Sequence, residues 1–408
     1  MTLIAKYITA SLATLCFAAA TAAADAPADA KADEGALAWE VLYRADVVAN
    51  ASGGLQRKTA LLGNLDLKLS ADLEKALGWN GGSAFVHAIA SHGGKPNAKY
   101  VGSGQGIDNI EVDTNTAKIF QAWVQQQFFG DRLSVLLGLY DLNSEFYSTQ
   151  SSGLFLHPAP GIGSELAQTG RNGPSIFPVS SVALRAKFQL LPSIYVQGVV
   201  LDGVPGDPDN PRGTHIQFDR GDGALRVAEI GYAPGSAEGD SAKAPLAKLA
   251  LGVWSYTSRF DDLADVDAAG DPVRRKGNRG FYGIAERAFG DRMAGFLRMG
   301  VADPDVNPYA RHFQAGVVYT GPFPGRPADQ LGLSFSMAAN GGKFLAAARA
   351  AGEPADQSET ALEITYRAPL APWLTLQPVI HRIINPGTDP RIKDATVLGV
   401  RFEFALGK

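Results

Sequence analysis

From about residue 36 to its end the chain alternates hydrophobic and polar positions with a period of two, in segments about ten residues long. The clearest runs from Val182 to Leu190. There Val182, Leu184, Ala186, Phe188 and Leu190 share one face, and Ala183, Arg185, Lys187 and Gln189 the other. The last segment sets Leu398, Val400, Phe402, Phe404 and Leu406 against Arg401 and Glu403, and another sets Leu362, Ile364 and Tyr366 against Glu363, Thr365 and Arg367. Some sixteen such segments fit along the chain, each a strand with one apolar face. The alternation alone suits either a soluble sandwich or a barrel in lipid.

The gaps between segments separate these two classes. Short ones fall at 130–132, 191–193, 290–292 and 369–372, and long ones at about 91–117, 141–181, 202–225, 258–279, 340–359 and 384–396. Short and long take turns, although 233–246 is long for a turn and 302–312 is short for an outer loop. A sandwich with crossing connections has no reason to gather its long loops at one end. A tilted strand of about ten residues crosses a bilayer, closure pairs every backbone donor and acceptor in lipid, and a sixteen-stranded ring is too wide for side chains to fill. The pattern therefore predicts an all-β fold, a transmembrane antiparallel β-barrel of about 16 strands with short periplasmic turns and long extracellular loops. Pro378 is awkward within a predicted strand, since a closed barrel offers no free edge, and a local bulge is expected there.

The beginning of the chain reads differently. Lys6 precedes a stretch from Tyr7 to Ala24 without charge, and Ala22-Ala23-Ala24 offers a small-residue cleavage site before Asp25. The expected organisation is a signal peptide over 1–24, a disordered polar segment over 25–35 and a single barrel domain over 36–408. The sole cysteine, Cys16, lies in the signal, so the mature chain is expected to carry no thiol or disulfide. The formal charge is −4, and removing Lys6 with the signal gives −4 − 1 = −5, which makes no electrostatic case for nucleic acid.

Three stretches carry a family resemblance. The first is Trp123-Val124-Gln125-Gln126-Gln127-Phe128-Phe129 followed by 137–146, Leu-Gly-Leu-Tyr-Asp-Leu-Asn-Ser-Glu-Phe. The second is 199–207, Val-Val-Leu-Asp-Gly-Val-Pro-Gly-Asp, with Gly221-Asp222-Gly223 and Glu229-Ile230-Gly231-Tyr232 after it. The third joins 359–366, 372–378 and Ile384-Asn385-Pro386-Gly387, and closes with 394–401. In this order they resemble the carbohydrate-selective porin family, the OprB-type outer-membrane sugar porins. The resemblance implies a sixteen-stranded outer-membrane barrel that passes sugars by facilitated diffusion, without a cofactor. Its expected partners are small sugar solutes, outer-membrane lipids and the barrel assembly machinery. A homotrimer is common among large porins, but no lipid-facing strip here marks a subunit contact. One departure is that the last aromatic residue, Phe404, is followed by four more residues, where such barrels commonly end on an aromatic used in assembly.

A sugar channel needs weak repeated sites: planar hydrogen-bonding groups for hydroxyls and aromatic faces for the ring. Turning the more polar face of each strand inward gives Trp123, Gln125, Gln127, Arg185, Lys187, Gln189, Tyr195, Gln197, Glu229, Trp254, Arg298, Glu363, Arg367 and Arg401 as pore-lining candidates, with Gln377, His381 and Glu403 beside them. The bland alternative for each is a wall residue that pairs across strands, and Trp123 has a second one, a lipid-facing belt position. The longest loop, 141–181, is expected to fold inward and narrow the pore, with Asp141, Asn143, Glu145, Phe146 and Arg171 as constriction candidates. Both signs of charge favour a neutral polar solute over strong anion selection; an anion- or phosphate-selective or a general diffusion porin is the alternative. An outer-membrane barrel enzyme would present a serine beside a histidine on one wall, and nothing marks a serine partner for His381. The glycines of 102–106 read as a flexible loop, and Asp207, Asp209 and Asn210, or Asp261, Asp262, Asp265 and Asp267, as turn chemistry rather than Ca²⁺ ligands. The six histidines show no metal-ligand spacing.

Overall fold

A computed structural model describes residues 35–234 and 246–407. The expected signal and, apart from Gly35, the polar segment after it lie outside the described residues, as does most of the 233–246 connection. Sixteen strands follow in order: β1 (Leu37–Ser52), β2 (Thr59–Asp72), β3 (Gly82–Gly93), β4 (Thr116–Phe128), β5 (Leu133–Tyr140), β6 (Ser181–Leu191), β7 (Ile194–Asp202) and β8 (Ala224–Tyr232), then β9 (Ala247–Val266), β10 (Pro272–Phe289), β11 (Met293–Ala302), β12 (Tyr309–Thr320), β13 (Gln330–Asn340), β14 (Ser358–Ala371), β15 (Leu374–Ile384) and β16 (Ala395–Gly407). Each pairs antiparallel with its neighbours in sequence, and β1 pairs with β16 from Glu40↔Gly407 to Ser52↔Thr396, which closes the ring. Closure leaves no strand edge, the condition for a sheet to sit in lipid.

The alternation sets the two faces. On β6 Leu184 is 53% exposed while Arg185 is 1% exposed, and on β14 Ile364 is 51% exposed while Glu363 is 1% exposed. The apolar face thus lies outside and the polar face inside, the reverse of a soluble protein. Trp39, Phe128, Tyr232, Phe289, Tyr319, Trp373 and Phe404 are exposed at the rim that carries both described chain ends. Such a girdle marks a membrane–water interface. Phe404 belongs to it, stacking with Trp373 at 6.3 Å and with Tyr43 at 6.4 Å between ring centroids.

At that rim the links are 73–81, 129–132, 192–193, 290–292, 321–329 and 372–373, besides the partly described 233–246. The opposite rim carries 53–58, 94–115, 141–180, 203–223, 267–271, 303–308, 341–357 and 385–394. One expected loop is not a loop. Residues 258–279 are mostly strand, because β9 and β10 run on past their neighbours as a hairpin that turns at 267–271. Ion pairs hold this extension: Arg274 with Asp261 at 3.0 Å, and Arg275 with Asp262 at 2.8 Å and Asp265 at 2.7 Å. Lys343 adds a contact to Asp262 at 2.6 Å, so these carboxylates are neutralised by side chains of the chain itself. Charges on both faces hid these strands, since a hairpin standing in water needs no apolar face. Pro378 is also accommodated differently from expectation. No register shift occurs beside it; the β14–β15 pairing lapses between Thr365↔Val379 and Ala368↔Leu376, while Pro378 faces Val400 on the other side.

Candidate functional site

Two of the loops leave the rim and run inside the barrel, as their partners on the inward strand faces show. In 141–180, Asp141 caps the first turn by accepting from the Asn143 amide at 3.0 Å. The chain then crosses the lumen and is held in turn by three wall carboxylates. Glu229 on β8 accepts from the Tyr147 amide at 3.1 Å. Glu286 on β10 accepts from the Gln150 amide at 3.0 Å and the Ser151 amide at 2.5 Å. Glu363 on β14 accepts from the Leu156 amide at 2.8 Å and the His157 amide at 3.0 Å. Irregular backbone inside a barrel has no ladder partner, and a side-chain carboxyl supplies the missing acceptor. Donors from the wall satisfy the carbonyls: Arg298 reaches Gly161 O at 2.7 Å and Gln377 reaches Leu154 O at 2.7 Å.

Apolar side chains complete this seat. Leu142, Phe146, Tyr147, Ile162 and Leu166 of the loop pack on Leu225, Val227, Trp254, Tyr256, Tyr282 and Ile284, which face inward from β8, β9 and β10. Tyr147 stacks on Tyr282 at 4.1 Å between centroids. Burial of such side chains stabilises by about 1.5–3 kcal/mol each, so this side of the lumen holds a core like that of a soluble protein.

Residues 94–115 form the second inward loop. Val101, Ile107 and Ile110 pack on Val48, Leu62, Ile383 and Val397. The glycine-rich 102–106 segment, expected to be flexible, wraps the carboxylate of Glu359 on β14. Ser103 Oγ donates at 2.7 Å, and the amides of Gly104 and Gln105 donate at 2.7 and 2.9 Å. It is an anion nest filled by a side chain of its own barrel. Arg401 on β16 lies between Asp46 at 2.6 Å and the loop residues Asp108 at 3.4 Å and Asn109 at 2.7 Å. The Asn109 amide donates to Leu156 O at 2.8 Å, which joins the two loops.

All fourteen pore-lining candidates fall on the inward face, Trp123 among them, with its ring 5.3 Å from that of Phe85. Most are nonetheless out of reach of a solute. Arg185 is spent on Glu145 at 2.7 Å and Gln125 at 2.6 Å. Glu229 accepts from Tyr195 at 2.7 Å, Gln197 at 3.0 Å and Tyr282 at 2.7 Å. Arg298, Glu363, Trp254 and Arg401 are buried under the loops, and His381 and Gln377 with them. Gln127, Lys187, Gln189, Arg367 and Glu403 keep partial exposure. Of the constriction candidates, Asp141, Asn143, Glu145 and Phe146 lie in the inward loop. Arg171 does not belong with them: its side chain is 60% exposed beside Asp209, on a neighbouring loop. The sequence reading missed Glu286, Glu359, Asp46 and Asp108. Nothing in local spacing separates a carboxylate that clips a loop from one that meets water.

Glu165 of the inward loop is buried, and neither of its carboxyl oxygens has a hydrogen-bond partner among the described residues. It packs against β11 at Gly300, where a Cβ would stand 1.7 Å from Glu165 Oε1 and would displace the carboxyl. Burial pushes this carboxyl up to about 7. A carboxyl raised in the folded state is protonated there while it is ionised in the unfolded chain. The seat therefore weakens as pH rises from about 4.5 to about 7, by an amount on the order of 3 kcal/mol. Two outcomes are expected in planar bilayers. Current fluctuations from loop movement increase between pH 5 and pH 8, and that dependence is reduced in Glu165→Gln, burial pushing Glu111 of the other inward loop up to about 7 as well; a dependence unchanged by the substitution contradicts the assignment. Glu286→Ala, which strands two loop amides at a cost of about 1–3 kcal/mol, raises conductance or its noise at every pH, whereas a trace like that of the unaltered protein means that this clip does not hold the loop.

Residues 56–406 match the family model described as carbohydrate-selective porin, OprB family. Porin B of Pseudomonas aeruginosa is 25% identical over 403 residues, covering 88% of this chain and 86% of that protein. Among solved structures, the high-pH structure of Pseudomonas putida OprB superposes with a TM-score of 0.78 at 20% identity, over 91% of this chain and 94% of that one. The outer membrane channel DcaP of Acinetobacter baumannii follows at a TM-score of 0.53 and 12% identity, over 91% and 97%. These structures share the barrel.

Proposed function

The chain belongs to the carbohydrate-selective porin family and is a sugar porin of the Gram-negative outer membrane; from that premise we propose that sugars cross it by passive diffusion, without a chemical step or cofactor, past a lumen narrowed by the two inward loops. Family and fold point to a channel rather than an enzyme, and the phosphate-selective alternative is not favoured. The rim with both chain ends faces the periplasm in this reading, residues 1–24 direct export, and the barrel assembly machinery inserts the chain.

The observation that carries the reading is the charge balance of the side chains still within reach. Arg44, Lys68, Arg367 and Glu403 keep 22%, 16%, 12% and 19% exposure. Arg44 pairs with Asp66 at 2.8 Å and with Glu403 at 3.7 Å, Arg367 pairs with Glu403 at 3.2 Å, and Lys68 lies 3.6 Å from Glu40. Each of these three cations is answered by a carboxylate, and Lys187 lies over the Tyr195 ring at 5.3 Å, so this part of the wall offers donors and acceptors at close spacing with little net field. Such a surface exchanges hydrogen bonds with a neutral polyhydroxyl solute and holds it weakly. Gln127, Lys187, Gln189 and Arg367 are the predicted residues assigned to solute contact, joined by Arg44, Lys68, Glu403 and the exposed Asn109. Monosaccharides such as glucose, and short oligosaccharides, are the solutes this wall suits.

The test is ion current through single channels titrated with glucose, a malto-oligosaccharide and phosphate. Glucose and the oligosaccharide are expected to block in proportion to concentration, with phosphate nearly inert and with Arg367→Ala weakening sugar block several-fold. Block by phosphate alone would overturn the solute assignment.

A further inference from the structure

The outer wall carries a feature that transport through the lumen does not use. Leu184, Val200, Arg226, Ser255 and Arg279 form one cross-strand row on the outward face of β6 to β10, in direct register from strand to strand. This row lies where β8 ends against the longer β9–β10 hairpin, at the rim of the long loops. Arg226 is exposed and makes no ion pair among the described residues. Arg279 is 83% exposed, with Asp303 only 3.9 Å from its Nε. The two arginines stand two strands apart, roughly 10 Å, with the Ser255 hydroxyl between them.

Directly below, the next row reads Ala186, Gly198, Ala228, Val253 and Phe281. Three small residues side by side recess the wall, and the larger Phe188, Val196, Ile230 and Leu251 close the recess one row further down. The result is a groove of about 1030 Å³ with apolar walls and the two guanidinium groups at its upper end.

The geometry points to a lipid with a phosphorylated headgroup as the occupant, its phosphate bridged by Arg226 and Arg279 and an acyl chain lying over Ala186, Gly198 and Ala228. Arginine presents a planar fork that matches phosphate oxygens two at a time. Two arginines at the edge of an apolar wall, Arg226 without an ion pair among the described residues and Arg279 facing the single carboxylate of Asp303 at 3.9 Å, leave a net positive charge that matches a molecule anionic at one end and apolar at the other. A second copy of this wall, meeting it about a twofold axis, would bring the same arginines face to face.

The folded protein in detergent, incubated with bisphosphorylated lipid A and weighed by native mass spectrometry, provides the test. One retained lipid is expected. The Arg226→Gln/Arg279→Gln variant is expected to bind at least tenfold more weakly, and the unaltered protein to bind dephosphorylated lipid A at least tenfold more weakly. Ala228→Trp, which fills the groove and leaves the charges, is expected to lose the lipid as well. Folding of each variant is read from the mobility of unheated samples on a denaturing gel. Sugar block stays unchanged throughout, since these residues lie outside the lumen, so the outcome is separate from that of the transport reading. Retention of lipid by the double variant, equal binding of the dephosphorylated form, or loss of a protein oligomer in Ala228→Trp with lipid binding intact would overturn the proposal.

Discussion

A carboxylate on the barrel wall that accepts from consecutive backbone amides of an incoming loop is the contact on which the channel rests. Glu286, Glu359 and Glu363 each take two such amides, and Glu229 takes one while three wall side chains hold it in place. A loop without regular structure cannot lie in a confined lumen with its donors unpaired. Water would satisfy them equally well at the rim. The carboxyl acceptors inside make the inward path the stable one, and they fix it residue by residue, because each captures particular amides.

Once the loops are in, the lumen has two unlike sides. From β8 to β11 the loop and wall form an apolar core around Tyr147, Tyr282 and Trp254. Across β14, β16, β1 and β2 the accessible wall is a lattice of paired charges around Arg44 and Glu403. A solute is thus excluded from one side and offered matched donors and acceptors on the other. That division suits a sugar, whose hydroxyls need many weak partners. It suits a bare ion less well, because the field of each side chain is cancelled by its neighbour.

The barrel was legible because lipid imposes a rule on every residue that faces it: Leu184, Ile364 and Leu398 had to be apolar, and the alternation followed. The β9–β10 hairpin escaped for the same reason, since beyond the membrane its two faces meet water and carry Arg274, Arg275, Asp261 and Asp262 alike. Inside, the assumption that the lumen face is the polar one failed at Leu225, Val227, Tyr282 and Ile284, which are covered by the loop. The pore-lining candidates lie on the inward face, but accessibility is decided by contacts between positions far apart in sequence. Arg298 meets Gly161 and Glu363 meets Leu156, pairings that no local spacing encodes. The glycines of 102–106 announced unusual backbone, without naming the carboxylate that fills it.

Amide hydrogen exchange in the folded protein addresses the account most directly. The amides of Gly104, Gln105, Gln150, Ser151, Leu156 and His157 lie in loop segments outside any ladder, and the carboxylate clips predict that they exchange slowly, as strand amides do. Exchange of these amides at the rate of exposed links such as 267–271 would contradict the account, because it would mean that the loops are not anchored within the lumen.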